Sequence, residues 1–296
     1  MRIATVSLTT RLRTWLLVAG LTALLFALGA VIGGGFLYLF VAFAVLMNVV
    51  GYWFSDRIAL SASRAKPLSE SQAPEIHRIA AELAARAGIP MPRLYLIQSD
   101  QPNAFATGRN PKHSAIAVTA GLRTRLPLAQ VRAVLAHELA HVRNRDILVS
   151  SIGAMIAAGI SAIANILQFS FLFGGNDDEE GGGPLAWLGM LAGIIVAPIA
   201  AMLLQLGVSR QREYLADATA AQLLGEGRPL ADALETLERE TKVLPMPVNP
   251  ATASLYIANP LPRTGLATLF STHPPIAERV RRLRSHDSFV VTTHAA

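Results

Sequence analysis

The residues best suited to catalysis in this sequence lie in the segment VLAHELAH, residues 134–141. Two histidines, His137 and His141, are four residues apart, and Glu138 follows the first of them. On a helix, side chains four residues apart project from the same face, so both imidazoles can bind one zinc ion in tetrahedral geometry. Glu138 is then placed to take a proton from the water that attacks a substrate. The spacing therefore predicts a zinc centre with an adjacent general base.

This spacing requires a helix, and the surrounding residues favour one. Residues 128–145 contain neither glycine nor proline, the two residues that most often interrupt helices. Apolar residues in this range recur at helical spacing: Val131, Val134, Leu135, Leu139 and Val142. We therefore expect both histidines to bind zinc from a single helix, rather than to be surface residues of an ordinary amphipathic helix.

A catalytic zinc needs a third protein ligand and an open position for water. The chain has no cysteine, so histidines and carboxylates are the available ligands. A third histidine six residues after His141, as in one subclass of zinc proteases, is excluded because that position is Ile147. The segment RQREYLAD, residues 210–217, offers two carboxylates four residues apart. We predict that Glu213 is the third ligand and that Asp217 orients a zinc-binding histidine.

The composition indicates a membrane protein rather than a soluble enzyme. Of the 296 residues, 52% are hydrophobic and only 16% are charged, and the mean hydropathy is +0.41. The net charge of +6 raises the question of nucleic-acid binding. The basic residues are spread along the chain without a recognisable nucleic-acid module, however, so we expect no nucleic-acid partner.

Four apolar runs are long enough to cross a bilayer, and they pair into two hairpins. They comprise residues 15–32, 36–54, 147–173 and 185–207. Basic residues precede the first run and follow the second and fourth, whereas the loop at residues 174–183 is acidic and has no lysine or arginine. By the positive-inside rule, the N-terminus and the zinc motif lie in the cytoplasm. The lipid bilayer is therefore an expected partner.

The apolar runs divide the chain into four parts. These are a transmembrane hairpin at residues 1–54, a first catalytic part at 55–146, a second transmembrane hairpin at 147–207 and a second catalytic part at 208–296. His141 lies six residues before the third run and Glu213 six residues after the fourth. Six helical residues span about 9 Å, so the zinc would lie close to the cytoplasmic membrane surface.

The expected fold is a mainly α membrane protein with four transmembrane helices and a cytoplasmic α+β catalytic domain that contains a small sheet. Predicted helices of the catalytic domain besides that of the zinc motif cover residues 74–86, 210–224, 230–241 and 275–284, and predicted strands cover 93–98, 104–108 and 114–119. Residues 244–263 are proline-rich and aperiodic, which predicts a loop near the cleft, and the final residues are expected to form a loose tail. An edge of the sheet would let a peptide bind in an extended conformation.

Four motifs follow the first hairpin in a characteristic order. They are NAFATG at residues 103–108, HELAH at 137–141, REYLAD at 212–217 and STHPP at 271–275. In this order they resemble the HtpX family of membrane zinc metalloproteases, which is related to the eukaryotic CAAX prenyl endopeptidases. The resemblance covers nearly the whole chain and implies a zincin-like fold of the gluzincin type. It also implies one Zn²⁺ per chain, with His137, His141 and Glu213 as ligands and Glu138 as the base.

The resemblance extends to further residues and to the cellular role. It implies that Asn103 and Ala104 contact the backbone of a substrate, and that His273 and Arg279 stabilise the oxyanion. The implied activity is cleavage of misfolded or membrane-associated proteins at the cytoplasmic face of the bacterial plasma membrane, as part of protein quality control.

Two alternatives remain open at this point. The same zinc chemistry would suit a maturation protease with a narrow set of substrates. A non-catalytic membrane scaffold would instead use the three ligands in a closed structural zinc site, which needs a fourth ligand, and Asp217 is the obvious spare residue.

Overall fold

In a computed structural model of the protein, the described residues are 36–151, 210–244, 246, 248, 250–260 and 274–294. The predicted spans at residues 15–32 and 185–207 lie outside these ranges, as do His273 and all but the first residues of the run at 147–173. The helices are α1 (Phe36–Ala62), α2 (Pro74–Ala87), α3 (Ala120–Arg125), α4 (Leu128–Asn144), α5 (Arg210–Leu224), α6 (Arg228–Val243), α7 (Pro250–Ala253) and α8 (Ile276–His294).

In the described part of the chain, four strands form one small mixed sheet. They are β1 (Lys66–Pro67), β2 (Arg93–Ile97), β3 (Ala104–Gly108) and β4 (Ser114–Thr119), in the spatial order β1-β2-β4-β3. Strands β2 and β4 are parallel, while β1 pairs with β2 and β3 pairs with β4 in antiparallel register. Strand β3 therefore lies at one edge of the sheet, as a substrate-binding edge requires.

The three longer strands lie where the sequence predicts strands. Ile116 and Val118 of β4 face a core shared with the helices, whereas Ala115 and Ala117 face a second cluster that includes the end of α1. This alternation is the two-residue period of a strand buried on both faces. The main core is formed where α2, α5 and α6 pack against α4, which also contacts β3.

Local sequence explains where several elements begin and end. Helix α2 begins with Pro74, whose missing N–H costs nothing in the first turn, and it ends at Gly88 in the left-handed conformation with φ 67°. Strand β3 ends at Gly108, where φ is 134° and a Cβ atom would lie 2.2 Å from the carbonyl oxygen of His113. Only glycine permits this close turn between β3 and β4.

Three features differ from the sequence predictions. Helix α7 lies within the stretch predicted as a loop, and α3 occupies part of the connection between β4 and α4. Helix α8 continues to His294 instead of giving way to a loose tail. The residues from 286 onward contain neither glycine nor proline, so nothing in the local sequence ends the helix earlier.

Helix α1 exposes large apolar side chains to solvent. The exposed fraction is 79% for Tyr38, 57% for Leu46 and 53% for Trp53. The apolar run at residues 36–54 falls within this helix. Among the described residues, no helix was identified as long and apolar enough to cross a membrane.

Candidate metal centre and its supporting residues

The three predicted metal ligands meet where α4 and α5 pack side by side. The Nε2 atoms of His137 and His141 are 3.1 Å apart. Glu213 approaches both rings, with Oε1 at 3.5 Å from Nε2 of His141 and Oε2 at 3.8 Å from Nε2 of His137. His137 and Glu213 are buried and His141 is nearly so. The structure thus brings together, from helices about seventy residues apart in sequence, three donors that could hold a metal ion.

The donor set fits zinc. Ligand atoms at about 2.1 Å from a tetrahedral zinc lie about 3.4 Å from one another. The two Nε2 atoms are 3.1 Å apart, and each has a different Glu213 oxygen at 3.5 or 3.8 Å, so a small adjustment of the carboxylate suffices. Two imidazoles and one carboxylate are also the ligand set of a large class of catalytic zinc sites, with the fourth position left for water. The geometry therefore supports a single open metal site.

A carboxylate contacts the outer nitrogen of each imidazole. Oδ1 of Asp217 lies 3.0 Å from Nδ1 of His137, and Oδ2 of Asp146 lies 3.3 Å from Nδ1 of His141. When Nδ1 donates its proton to a carboxylate, the Nε2 lone pair is left free to bind a metal. Both carboxylates thus favour the neutral tautomer that a metal centre needs. Asp217 fills the orienting role predicted from sequence.

Arg279 is fully buried behind the metal ligands. Its Nε and Nη2 atoms donate to the two carboxylate oxygens of Asp217 at 2.8 and 2.7 Å, and its Nη1 atom lies 3.5 Å from Oε2 of Glu213. A buried guanidinium is tolerated when carboxylates pair with it in this two-pronged way. Arg279 therefore connects α8 to two carboxylates of α5, the predicted ligand Glu213 and the carboxylate of Asp217 that contacts His137.

Asp146 was missed by the sequence analysis. Five residues separate it from His141, a spacing that does not place two side chains on one helical face. The chain turns at Arg145, which has φ 61° and caps the end of α4. This turn lets the backbone N–H of Asp146 donate to the carbonyl oxygen of His141 at 3.0 Å while its carboxylate reaches the ring. An aspartate directly after the motif helix was the signal available in the sequence.

Glu138 lies in the same cleft, next to the edge strand. It is 2% exposed, and the backbone N–H of Ala106 in β3 donates to its carboxylate. Burial raises the pKa of Glu138 to about 7, an effect that the nearby charge of Glu213 reinforces and that of His141 opposes. A carboxyl group whose pKa lies near neutrality can both accept and return a proton at physiological pH.

The two imidazoles differ in their affinity for protons. Burial lowers the pKa of His137 to about 4, and the positive charge of Arg279 acts in the same direction. Burial alone would also lower the pKa of His141, but the carboxylates of Glu213 and Asp146 overcome it and raise that pKa to about 9. Among the described residues named above, the carboxylates of Glu138, Asp146, Glu213 and Asp217 surround the two imidazoles, an arrangement that attracts a cation.

The predicted substrate contacts, Asn103 and Ala104, lie at the start of the edge strand. Both are buried, and the Asn103 amide donates to the carbonyl oxygen of Ala258 at 2.8 Å and accepts from its N–H at 3.3 Å. The carbonyl oxygen of Ala104 accepts from the N–H of Ile257 at 3.0 Å. The segment at residues 254–258 therefore lies against the beginning of β3.

The cleft at the metal ligands is small in this conformation. Its volume is about 20 Å³, and Ser254, Leu255 and Ile257 form part of its lining. A cavity of this size holds about one water molecule. The segment at 254–258, part of the stretch predicted as a loop near the cleft, thus fills space that a bound peptide would need.

The chain is similar to known proteases. The profile of peptidase family M48 matches residues 70–287. A protease HtpX homolog of Syntrophobacter fumaroxidans is 54% identical over 281 residues, which cover 93% of this chain and 99% of the relative. One from Pelotomaculum thermopropionicum is 50% identical over 276 residues, covering 93% and 98%. The crystal structure of S. mikatae Ste24p shares the fold, with a TM-score of 0.52, 21% identity and coverage of 95% of this chain and 67% of that one.

Proposed function

Because the chain belongs to peptidase family M48, we propose that it is a zinc endopeptidase acting at a membrane, with His137, His141 and Glu213 as the metal ligands. The family match and the similarity to HtpX proteases establish the metalloprotease activity. The observation that carries the zinc assignment is the meeting of two imidazole nitrogens and one carboxylate whose supporting groups fix the correct tautomers.

The positions of the side chains suggest the mechanism. A zinc ion bound here supplies Lewis acidity, which lowers the pKa of water and polarises a peptide carbonyl. Glu138 accepts the proton of the attacking water and returns it to the nitrogen of the leaving amine. The N–H of Ala106 holds the Glu138 carboxylate in place for both transfers. Asp217 and Asp146 keep the imidazoles oriented throughout.

The edge strand β3 is the proposed binding surface for the substrate backbone. A peptide can pair with an open strand edge through its main chain, so binding requires an extended segment rather than one sequence. The side-chain amide of Asn103 and the carbonyl oxygen of Ala104 already hold the backbone of Ala258 and Ile257, which supports their proposed role toward a substrate. In this arrangement a substrate displaces the segment at 254–258 before it is cleaved.

The oxyanion roles of His273 and Arg279 stay predictions from the resemblance. For Arg279, the bonds to Asp217 and the proximity to Glu213 support a positioning role. The scaffold alternative is not favoured, because Asp217 faces the outer nitrogen of His137 and Arg279 instead of serving as a fourth ligand.

Several observations support membrane attachment. The HtpX relatives cover nearly the whole chain, α1 exposes large apolar side chains, and four apolar runs flank the catalytic parts. We propose hairpins at residues 1–54 and 147–207, with catalytic parts 55–146 and 208–296 on the cytoplasmic side of a bacterial plasma membrane. Misfolded or membrane-associated proteins are the proposed substrates. Cleavage of one loop sequence tethered to a bilayer should exceed its cleavage in solution.

Cleavage of unfolded casein by the full chain in detergent tests the proposal. Activity should disappear with a chelator and return when zinc is added back. The matched control is Glu138→Gln, which should retain zinc but cleave about 10²–10⁴-fold more slowly, since it cannot accept the proton. A variant that cleaves at the wild-type rate would exclude Glu138 as the base. Zinc bound without any cleavage of casein, combined with cleavage of one defined substrate, would favour the maturation protease.

A further inference from the structure

A second cleft lies between the C-terminal part of α1 and the sheet. None of the proposed metal ligands lines it. Its volume is about 490 Å³. We call it the basic cleft, and it is lined by Trp53, Phe54, Asp56, Arg57, Arg93, Arg109, Lys112 and His113. Its residues come from α1, from β2 and from the connection between β3 and β4.

The basic cleft has an excess of positive charge. Four of its side chains are cationic and one, Asp56, is anionic. Asp56 forms an ion pair with Arg93, and the Nη2 atom of Arg93 lies 2.5 Å from the Asp56 carboxylate. Within the described part of the chain, no carboxylate lies within ion-pair distance of Arg57, Arg109 or Lys112. These charges are available to an anion that enters from outside.

Aromatic side chains hold two of the cations in place. The Arg109 guanidinium lies 4.8 Å from the centre of the Trp53 ring and donates to the Trp53 carbonyl oxygen at 3.2 Å. The Arg57 guanidinium lies 5.6 Å from the centre of the Phe54 ring. Stacking of this kind fixes the direction of a cation without neutralising it. The positive groups are therefore ordered before a ligand arrives.

The same aromatic residues indicate what kind of anion the cleft meets. Trp53 and Phe54 are 53% and 43% exposed, and the helix before them has no charged residue from Phe36 to Ser55. Exposed aromatic rings between an apolar helix and a group of basic residues are typical of the boundary between lipid tails and headgroups. A basic cleft without exposed aromatic rings would bind an acidic peptide equally well. The exposed rings therefore favour a lipid headgroup over an acidic peptide.

We propose that the basic cleft binds the phosphate headgroup of an anionic phospholipid. The proposal rests on the membrane attachment proposed above. Arg109 follows strand β3 directly and is three residues beyond Ala106, a distance of about 10 Å along an extended chain. A headgroup bound there holds the edge strand, and with it the catalytic cleft, next to the membrane surface.

Quenching of Trp53 fluorescence tests the proposal on the full chain in a zwitterionic detergent. Trp15→Phe and Trp187→Phe leave Trp53 as the sole tryptophan. Brominated phosphatidylglycerol and brominated phosphatidylcholine are titrated separately, and inorganic phosphate is used as a competitor. Saturable quenching by the anionic lipid at much lower concentration than by the zwitterionic lipid is the expected result. Equal quenching by the two lipids would overturn the proposal, and full displacement by millimolar phosphate would show a free-phosphate site instead.

Substitution of basic residues in the basic cleft provides a second test of lipid binding. Each basic residue near an anionic headgroup contributes about five-fold in affinity, so Arg57→Gln with Lys112→Gln should weaken binding of phosphatidylglycerol about 25-fold. The matched control is Arg228→Gln with Arg239→Gln, which removes two exposed charges elsewhere. An equal loss in both pairs would contradict a specific site. Casein cleavage in detergent should be unchanged in all variants, and its absence in the wild-type chain would count against the protease mechanism without altering the lipid result.

Discussion

His141 and Asp146 are joined twice. The backbone N–H of Asp146 donates to the carbonyl oxygen of His141 at 3.0 Å, and the Asp146 carboxylate lies 3.3 Å from the Nδ1 atom of the imidazole. The second histidine of the motif thus receives its orientation from a residue just beyond its own helix. The first, His137, receives it from Asp217 on a different helix.

Asp146→Asn should lower zinc affinity by about 10- to 100-fold, because an amide that donates to Nδ1 of His141 favours the tautomer whose Nε2 carries the proton. Competition with a chromophoric chelator measures the affinity. Asp100→Asn, an exposed change of the same chemistry, serves as the control and should bind zinc like the wild type. Unchanged affinity in Asp146→Asn would exclude the orienting role.

Arg145→Gly should stabilise the protein by about 1 kcal/mol, because a left-handed backbone conformation is costly for any residue with a Cβ atom. The φ angle of Arg145 is 61°. Two residues earlier, Arg143→Gly places the same change inside α4, where it should destabilise by about 1 kcal/mol. Opposite shifts of the thermal midpoint of the two variants in detergent are expected. Shifts of the same sign would contradict the assigned conformation.

Zinc binding should release a proton at pH 7. The pKa of His141 is raised to about 9, so its imidazole is protonated at pH 7 in the metal-free protein, and the metal must displace that proton. Affinity should therefore fall as the pH drops below 9, by about tenfold for each unit. Calorimetry in two buffers with different ionisation enthalpies counts the protons. Buffer-independent heat at pH 7 would show that His141 is already neutral.

Arg279→Lys should weaken zinc binding even though it conserves charge. A lysine cannot donate to both oxygens of Asp217 while also approaching Glu213, so the supporting carboxylate loses its fixed position. Arg281→Lys, on the exposed side of the same helix, is the matched control. A positioning role predicts changes in zinc affinity and in the pH dependence of casein cleavage. General destabilisation would instead lower the thermal midpoint and leave the zinc affinity and the pH dependence unchanged.

Much of this site could be predicted because its spacing is helical. His137 and His141 share a face of α4, and Glu213 and Asp217 share a face of α5. The predicted bounds of β3 and β4 match the structure. Asp146 could not be found by the same rule, since its position depends on one left-handed residue that periodicity does not encode.

The position of the segment at 254–258 could not be predicted either. It lies beside β3 through bonds between Asn103 and Ala258, residues 155 apart in sequence. Its proline-rich surroundings have no period that would identify a partner. Contacts of this kind depend on the whole tertiary fold, whereas helices and strands are specified by neighbouring residues.

The guanidinium of Arg279 is the last component of the centre along the chain. A ribosome therefore synthesises the two histidines and Glu213 well before the side chain that fixes Glu213 and Asp217 in place. A nascent chain that has not yet reached residue 279 carries the three proposed metal ligands but lacks the side chain that contacts Asp217 and Glu213. Assembly of the complete centre therefore depends on the docking of the final helix, the last described element to be translated.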